Sequence, residues 1–144
     1  MSFSETISPF FGRCAFVWFY ATAAMNIVSG WPQVEARLDA HHVPLAPVML
    51  LVALILIFLG CVSLFFGYHT RHGAVLLFGL TIVAAVTMHP FWQLAENMRG
   101  PEFEIFARDV AICGGLLLMV GMVPGPFAVD NRGGGGGGPK GKRR

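Results

Sequence analysis

Few side chains in this sequence have both the type and the surroundings to carry chemistry. His89 lies in the segment TMHPFW, where a long apolar run ends. A histidine at the edge of a membrane could bind a quinone carbonyl, ligate haem or relay a proton, or it could hydrogen-bond to a neighbouring helix or to an acid in the next loop. Trp92 lies beside it and is otherwise an ordinary interface aromatic residue. We predict His89 and Trp92 as the candidate quinone or proton site.

Three further polar residues are candidates for intramembrane contacts: Arg13, Asn26 and Asp109. Arg13 would either extend to the cytoplasmic headgroups or pair with a buried partner. Interhelical hydrogen bonding is the expected role of Asn26. The acids Glu96, Glu102 and Glu104 are expected to form a solvated rim.

The sequence does not indicate a cysteine-based redox, metal, phosphate-binding or catalytic site. Cys14, Cys61 and Cys113 are far apart in apolar runs, without the spacing of a redox or zinc motif. The adjacent pair His41-His42 points in different directions and is not expected to bind a metal. No phosphate loop, catalytic triad, intramembrane carboxylate pair or haem-binding histidine pair is apparent. We therefore expect no metal, no catalytic residue and no enzymatic activity of this chain alone.

Long apolar segments must position these candidates. Residues 43–68 contain no Asp, Glu, Lys, Arg or His, and residues 48–68 are long enough to cross a hydrocarbon layer of about 30 Å as a helix. Of the 144 residues, 55% are hydrophobic and only 12% are charged, against about 25% in soluble domains. Most of the surface is therefore expected to face lipid, and the net charge of +2 does not suggest a nucleic-acid partner.

The pattern predicts an all-α, integral membrane four-helix bundle. A polar lead covers residues 1–9, the four-helix domain covers 10–129, and a Gly-rich basic tail covers 130–144. The lead lacks the basic region of a signal peptide, so we expect the first helix to be retained. The predicted helices are about 10–29, 46–68, 74–91 and 104–123.

The connections follow from polar and helix-breaking residues. The polar loop 33–42 is predicted to be solvated, with one short interfacial helix as the alternative, and residues 67–73 form a tight hairpin between the second and third spans. Gly100-Pro101 is expected to interrupt the helical structure before the fourth span. Small residues let helices approach closely in lipid, and the predicted packing glycines are Gly60, Gly79, Gly114, Gly115 and Gly121.

Charge predicts the orientation. Four spans place both termini on one side, with Arg13, Arg71 and the tail, whereas most acids lie on the other side. The positive-inside bias therefore puts both termini in the cytoplasm. The tail should bind anionic lipid through Lys140, Lys142, Arg143 and Arg144.

Several motifs, in this order, resemble the DoxX family of small four-helix membrane proteins over about residues 10–130. They are Gly-Arg at 12–13, Ser-Gly at 29–30, Leu-Gly at 59–60, the hairpin Gly-Tyr-His-Thr-Arg at 67–71, His-Pro-Phe-Trp at 89–92, Phe-Ala-Arg-Asp at 106–109 before the apolar run 111–118, and the ending PGPFAVD at 124–130. Two positions depart from the family: Leu56 lies in the region where many members carry Glu, and Asp109 lies where many carry Asn. The missing Glu weakens a proton-linked mechanism.

The resemblance implies a four-helix bundle in the inner membrane of a bacterial-type cell. Family members have been linked to a thiosulfate:quinone oxidoreductase and to membrane oxidoreductase complexes. We expect an accessory subunit that docks a larger redox or electron-transfer complex, with the bilayer and other membrane subunits as partners. The alternatives are a quinone-interacting subunit, with quinone as the one candidate cofactor, and a small-molecule carrier. A carrier needs polar residues at mid-membrane, and the second and fourth predicted spans have almost none.

Overall fold

The computed structural model describes residues 7–121, apart from the side chain of Met98, and this part of the chain is helical without a strand. The helices are α1 Ser8–Ser29, α2 Trp31–Ala40, α3 Ala46–Phe66, α4 Thr70–Met88 and α5 Glu96–Gly121, with a 3-10 turn at Phe91–Gln93. The all-α prediction is confirmed for these residues. The predicted lipid-binding residues Lys140, Lys142, Arg143 and Arg144, and with them the whole tail, lie outside the described residues.

Three helical segments are long and apolar enough to cross a membrane: Ser8–Ser29, Ala46–Phe66 and Thr70–Gln93. They contain 22, 21 and 24 residues, which suffices for a hydrocarbon core of about 30 Å. The chain is therefore a membrane-embedded protein. Helix α5 has 26 residues, but even its last eighteen include Glu104, Arg108 and Asp109, so the count of four spans stays a prediction.

The two connections around α3 differ in form. The short helix predicted between the first two spans is confirmed as α2, which has a proline in its first turn. The hairpin is tighter than predicted, because α4 begins at Thr70 rather than near residue 74. Gly67 ends α3 with φ 65°, a left-handed conformation that glycine adopts without steric cost. The Ser63 hydroxyl donates a hydrogen bond to the Tyr68 carbonyl at 2.7 Å and closes the turn.

The predicted break at Gly100-Pro101 is wrong. Helix α5 begins at Glu96 and contains Pro101 near its start. Pro101 is the sixth residue of α5, so it lacks the N–H that would donate to the Asn97 carbonyl and its ring crowds that carbonyl. Aromatic packing accompanies the proline, since the rings of Phe103 and Phe106 lie 5.3 and 5.2 Å from that of Phe91.

The core joins all four long helices. Its buried members are Tyr20, Ile57, Leu64, Ala74, Leu77 and Leu116. The Tyr20 hydroxyl and the Thr81 hydroxyl form a hydrogen bond of 2.5 Å between α1 and α4. A second cluster, Leu38, Ala46 and Leu50, packs α2 against the beginning of α3. We call the side of the bundle where α2 lies the α2 end.

Candidate functional site

A cavity of about 870 Å³ lies between α1, α3 and α4 and extends to α2. Its walls are apolar along the spans. They include Ala23, Ile27, Met49, Val52, Leu56, Val75, Gly79, Leu80 and Val83. Several of these side chains are exposed on the bundle surface, so the cavity is reached from the lipid side. Such a space fits an elongated apolar molecule.

The α2 end of the cavity is polar. The polar residues that line it are Asn26, Gln33, Arg37, Thr87 and His89. They come from the last turns of α1 and α4, from α2, and from the residue that follows α4. The cavity therefore combines an apolar body with a polar end, which suits a lipid-soluble molecule with a polar head.

His89 is held at this polar end by an acid. Helix α4 ends at Met88, and His89 Nδ1 lies 2.6 Å from Glu102 Oε2 on the first turns of α5. The two side chains are 16% and 30% exposed. Glu102 is thus an ion-pair or hydrogen-bond partner of His89 and not only part of a solvated rim. The hydrogen bond to an acid was one of the alternatives that the sequence left open.

Trp92 does not share the cavity with His89. Its ring is half-exposed and packs edge-on against Phe91 and Phe106, and among the described residues it is not part of the cavity lining. Trp92 lies in the 3-10 turn Phe91–Gln93, which follows Pro90 beyond the end of α4. The structure therefore does not bring together His89 and Trp92 as one site.

The three predicted intramembrane polar residues have different surroundings. Arg13 is 3% exposed and its Nε donates to the Pro9 carbonyl at 3.3 Å, so its side chain is buried within the protein near the start of α1. Asp109 is buried, with Arg108 Nη2 at 3.5 Å. Asn26 is exposed and lines the cavity; within residues 7–121 its side chain makes no hydrogen bond to another helix.

The five glycines predicted to pack helices fall into two groups, according to the space that surrounds each of them. A Cβ on Gly60 would lie 2.5 Å from Leu77 Cγ, and one on Gly115 would lie 2.7 Å from Phe16 Cζ, so both allow close helix contacts. Gly79, Gly114 and Gly121 have nothing within 4 Å of such a Cβ in the described structure. Gly73, which the sequence did not single out, faces Ser63 closely.

Sequence reasoning missed Gln33, Arg37, Thr87 and Glu102 as site residues. Gln33 and Arg37 were placed in a solvated loop, although Val34 and Leu38, four residues apart, indicated that one face of α2 would be buried. In the part of the chain that the structure describes, no group of three His, Cys, Asp or Glu residues could hold a metal ion.

Comparison with known proteins gives a consistent result. The family model DoxX matches residues 8–90. The chain is 31% identical to the inner membrane protein YphA of Escherichia coli (strain K12) over 90 residues, which are 60% of this chain and 64% of YphA. It is 29% identical to the inner membrane protein YqjF of the same organism over 111 residues, which are 77% of this chain and 80% of YqjF. The chain thus matches slightly less than two thirds of YphA. No solved structure matches it significantly.

Proposed function

The chain belongs to the DoxX family, and from this we propose that it is a four-span inner-membrane protein whose cavity binds a quinone-class molecule for a membrane electron-transfer complex. The observation that carries the proposal is the cavity with apolar walls along the spans and His89 at its polar end. A quinone has the same division, a polar ring and an apolar tail. In this proposal the electron transfer itself takes place in a partner subunit.

The fit is one of size and polarity. About 870 Å³ lies within the range of small-molecule sites, roughly 300–1,000 Å³. The ring would lie at the α2 end, where Asn26 and Gln33 offer amide donors and Arg37 offers a guanidinium. The tail would follow the apolar walls and leave toward the lipid past the exposed side chains of Val75 and Val83.

The orientation belongs to the same proposal. Helix α5 is about 39 Å long at 1.5 Å per residue, which exceeds a hydrocarbon core of about 30 Å, and it carries no charged residue after Asp109. With α5 as the fourth crossing, the positive-inside rule places the termini and the 67–69 turn in the cytoplasm and the α2 end outside. A green fluorescent protein fused at the C terminus should then fluoresce, and alkaline phosphatase inserted at residues 41–45 should be active; the reverse pattern contradicts the orientation.

The cavity is tested by filling it. Gly79 lines the cavity, and a Cβ there meets nothing within 4 Å. Gly79→Phe should therefore fill the space without disturbing the fold. Gly12→Phe is the matched control, because Gly12 is also a helical glycine with open space around it but does not line the cavity.

Binding can be followed in lipid nanodiscs by a decyl-benzoquinone that quenches Trp31, whose ring packs beside the cavity. The background carries Trp18→Phe and Trp92→Phe, which remove the other two tryptophans. The wild-type cavity and Gly12→Phe should bind alike, and Gly79→Phe should bind at least tenfold more weakly. Equal binding by all three would show that the cavity is not the site.

A docking role for an accessory subunit is the second candidate. Gly114 and Gly121 lie seven residues apart on α5, and each has open space where a Cβ would be. Such a face could admit a helix of a partner subunit. Gly114→Leu with Gly121→Leu should then release a subunit that co-purifies with the wild type, whereas Gly79→Leu should retain it. Co-purification unchanged by the double substitution would remove this candidate.

A further inference from the structure

When the His89 ring is neutral, its contact with an ionised Glu102 determines which ring nitrogen carries the proton. An ionised carboxylate only accepts hydrogen bonds, so at 2.6 Å the Nδ1 atom of His89 must be the donor to Glu102 Oε2. A neutral imidazole has a single N–H. With that proton on Nδ1, the Nε2 atom has a lone pair and can only accept.

The Nε2 atom is also available. Within residues 7–121 the His89 ring makes its hydrogen bond through Nδ1, and Nε2 makes none. Nε2 is not fully buried either, since the buried nitrogen and oxygen atoms that lack a partner do not include it. His89 lines the polar end of the cavity. The neighbouring Thr87 hydroxyl donates to the Val83 carbonyl at 2.7 Å, so its proton is already committed to its own helix.

An acceptor at this position distinguishes the two redox forms of a quinone. The oxidised form presents carbonyl oxygens, which only accept and would face the Nε2 lone pair unfavourably. The reduced form, a hydroquinone, presents hydroxyl groups that can donate to Nε2. A site built around this nitrogen therefore favours the hydroxyl-bearing form.

We propose that Glu102 is a positioning residue that holds His89 as a hydrogen-bond acceptor, so that the cavity selects hydroquinone over quinone. This inference rests on the proposed quinone-binding function and concerns binding alone. The subunit would therefore present the reduced molecule to its partner.

The tautomer can be measured without any ligand. In protein labelled with ¹⁵N-histidine, the chemical shifts distinguish a protonated from an unprotonated ring nitrogen and also report whether the ring is neutral; His89→Asn identifies the signal among the five histidines. At a pH where the spectrum shows a neutral ring, the wild type should carry its proton on Nδ1. Glu102→Ala should move the proton to Nε2, whereas Glu104→Gln, an exposed acid on the same helix, should leave it unchanged. A wild-type ring protonated on Nε2 would overturn the proposal.

Selectivity is then measured at the same pH as the ratio of dissociation constants for a decyl-benzoquinone and its anaerobically reduced hydroquinone. One hydrogen bond predicts a wild-type preference for the hydroquinone of about threefold to tenfold. Glu102→Ala should lose or reverse this preference, and Glu104→Gln should keep it. Glu102→Gln should weaken the preference, since an amide can donate to Nδ1 and leave the proton on Nε2.

The outcomes separate the inference from the function on which it rests. If both forms bind with equal affinity to the wild type, or if Glu102→Ala retains the preference, the selectivity is refuted and the quinone site stands. If neither form binds, the proposed function fails and the inference fails with it.

Discussion

Gly60→Ala should destabilise the bundle, although alanine is the better helix former. A Cβ at Gly60 would lie 2.5, 2.6 and 2.9 Å from Leu77 Cγ, Cδ2 and Cδ1, whereas normal carbon contacts are about 3.5–4.0 Å. Leu77 is fully buried in the core with Leu64 and Leu116, so it has little room to move by the required ångström. Overpacking of this kind costs about 1–3 kcal/mol. The gain in helix propensity offsets only about 0.5–1 kcal/mol of it.

The matched control is Gly79→Ala on the neighbouring helix, where a Cβ meets nothing within 4 Å. Gly79→Ala should gain the stability that comes from the higher helix propensity of alanine, without the cost of overpacking. The free energies of unfolding of the two variants should therefore differ by about 1–3 kcal/mol, with Gly60→Ala the less stable. Unfolding by SDS in mixed micelles, followed by circular dichroism, measures both.

A double-mutant cycle tests the cause. Leu77→Ala alone should cost about 2–5 kcal/mol by leaving a cavity. In the Gly60→Ala background the cost of Leu77→Ala should be smaller by at least about 1 kcal/mol. The added methyl group fills part of the cavity, and the overlap with Leu77 is removed. If Gly60→Ala is as stable as Gly79→Ala, or if the two changes are additive, the close contact between α3 and α4 is refuted.

Three other substitutions follow from single contacts and use the same unfolding assay. Gly115→Ala should cost less than Gly60→Ala, because the atom it meets is Cζ at the tip of the Phe16 ring; an equal cost would contradict this distinction. Thr81 donates to the Leu77 carbonyl and so accepts from Tyr20, and Tyr20→Phe should cost about 0.6 and at most about 1.7 kcal/mol. In a Thr81→Val background that cost should nearly vanish, and full additivity would argue against the hydrogen bond. Ser63→Ala should cost about 1 kcal/mol by removing the bond that closes the 67–69 turn. Ser29→Ala is its control, since the Ser29 hydroxyl bonds only within its own helix. An equal loss of unfolding free energy in both variants would show that the turn does not depend on Ser63.

The sequence alone determined that the chain is helical and membrane-embedded. Residues 43–68 contain no charged side chain, and in lipid an isolated segment can satisfy its backbone groups only as a helix. Helices α1 and α3 lie within two residues of their predicted limits. The beginning of α5 could not be predicted in this way, because the aromatic contacts that accompany Pro101 come from residues before the helix. The sequence also identified His89, a histidine at the end of a span, but not Glu102, which lies thirteen residues further on and reaches it only through the turn between α4 and α5.

Only the tertiary structure decided which side chains face each other and which face lipid. In a soluble bundle, polar residues mark the outer face of each helix, but in a membrane the outward and inward faces are both apolar. Gly60 and Gly79 therefore look alike in the sequence, although one contacts Leu77 and the other opens into the cavity. The cavity itself has no sequence signature, because it is the space that side chains from α1, α2, α3 and α4 leave between them. Hydropathy measures how each residue partitions into lipid, and the positions of its neighbours depend on the packing of whole helices.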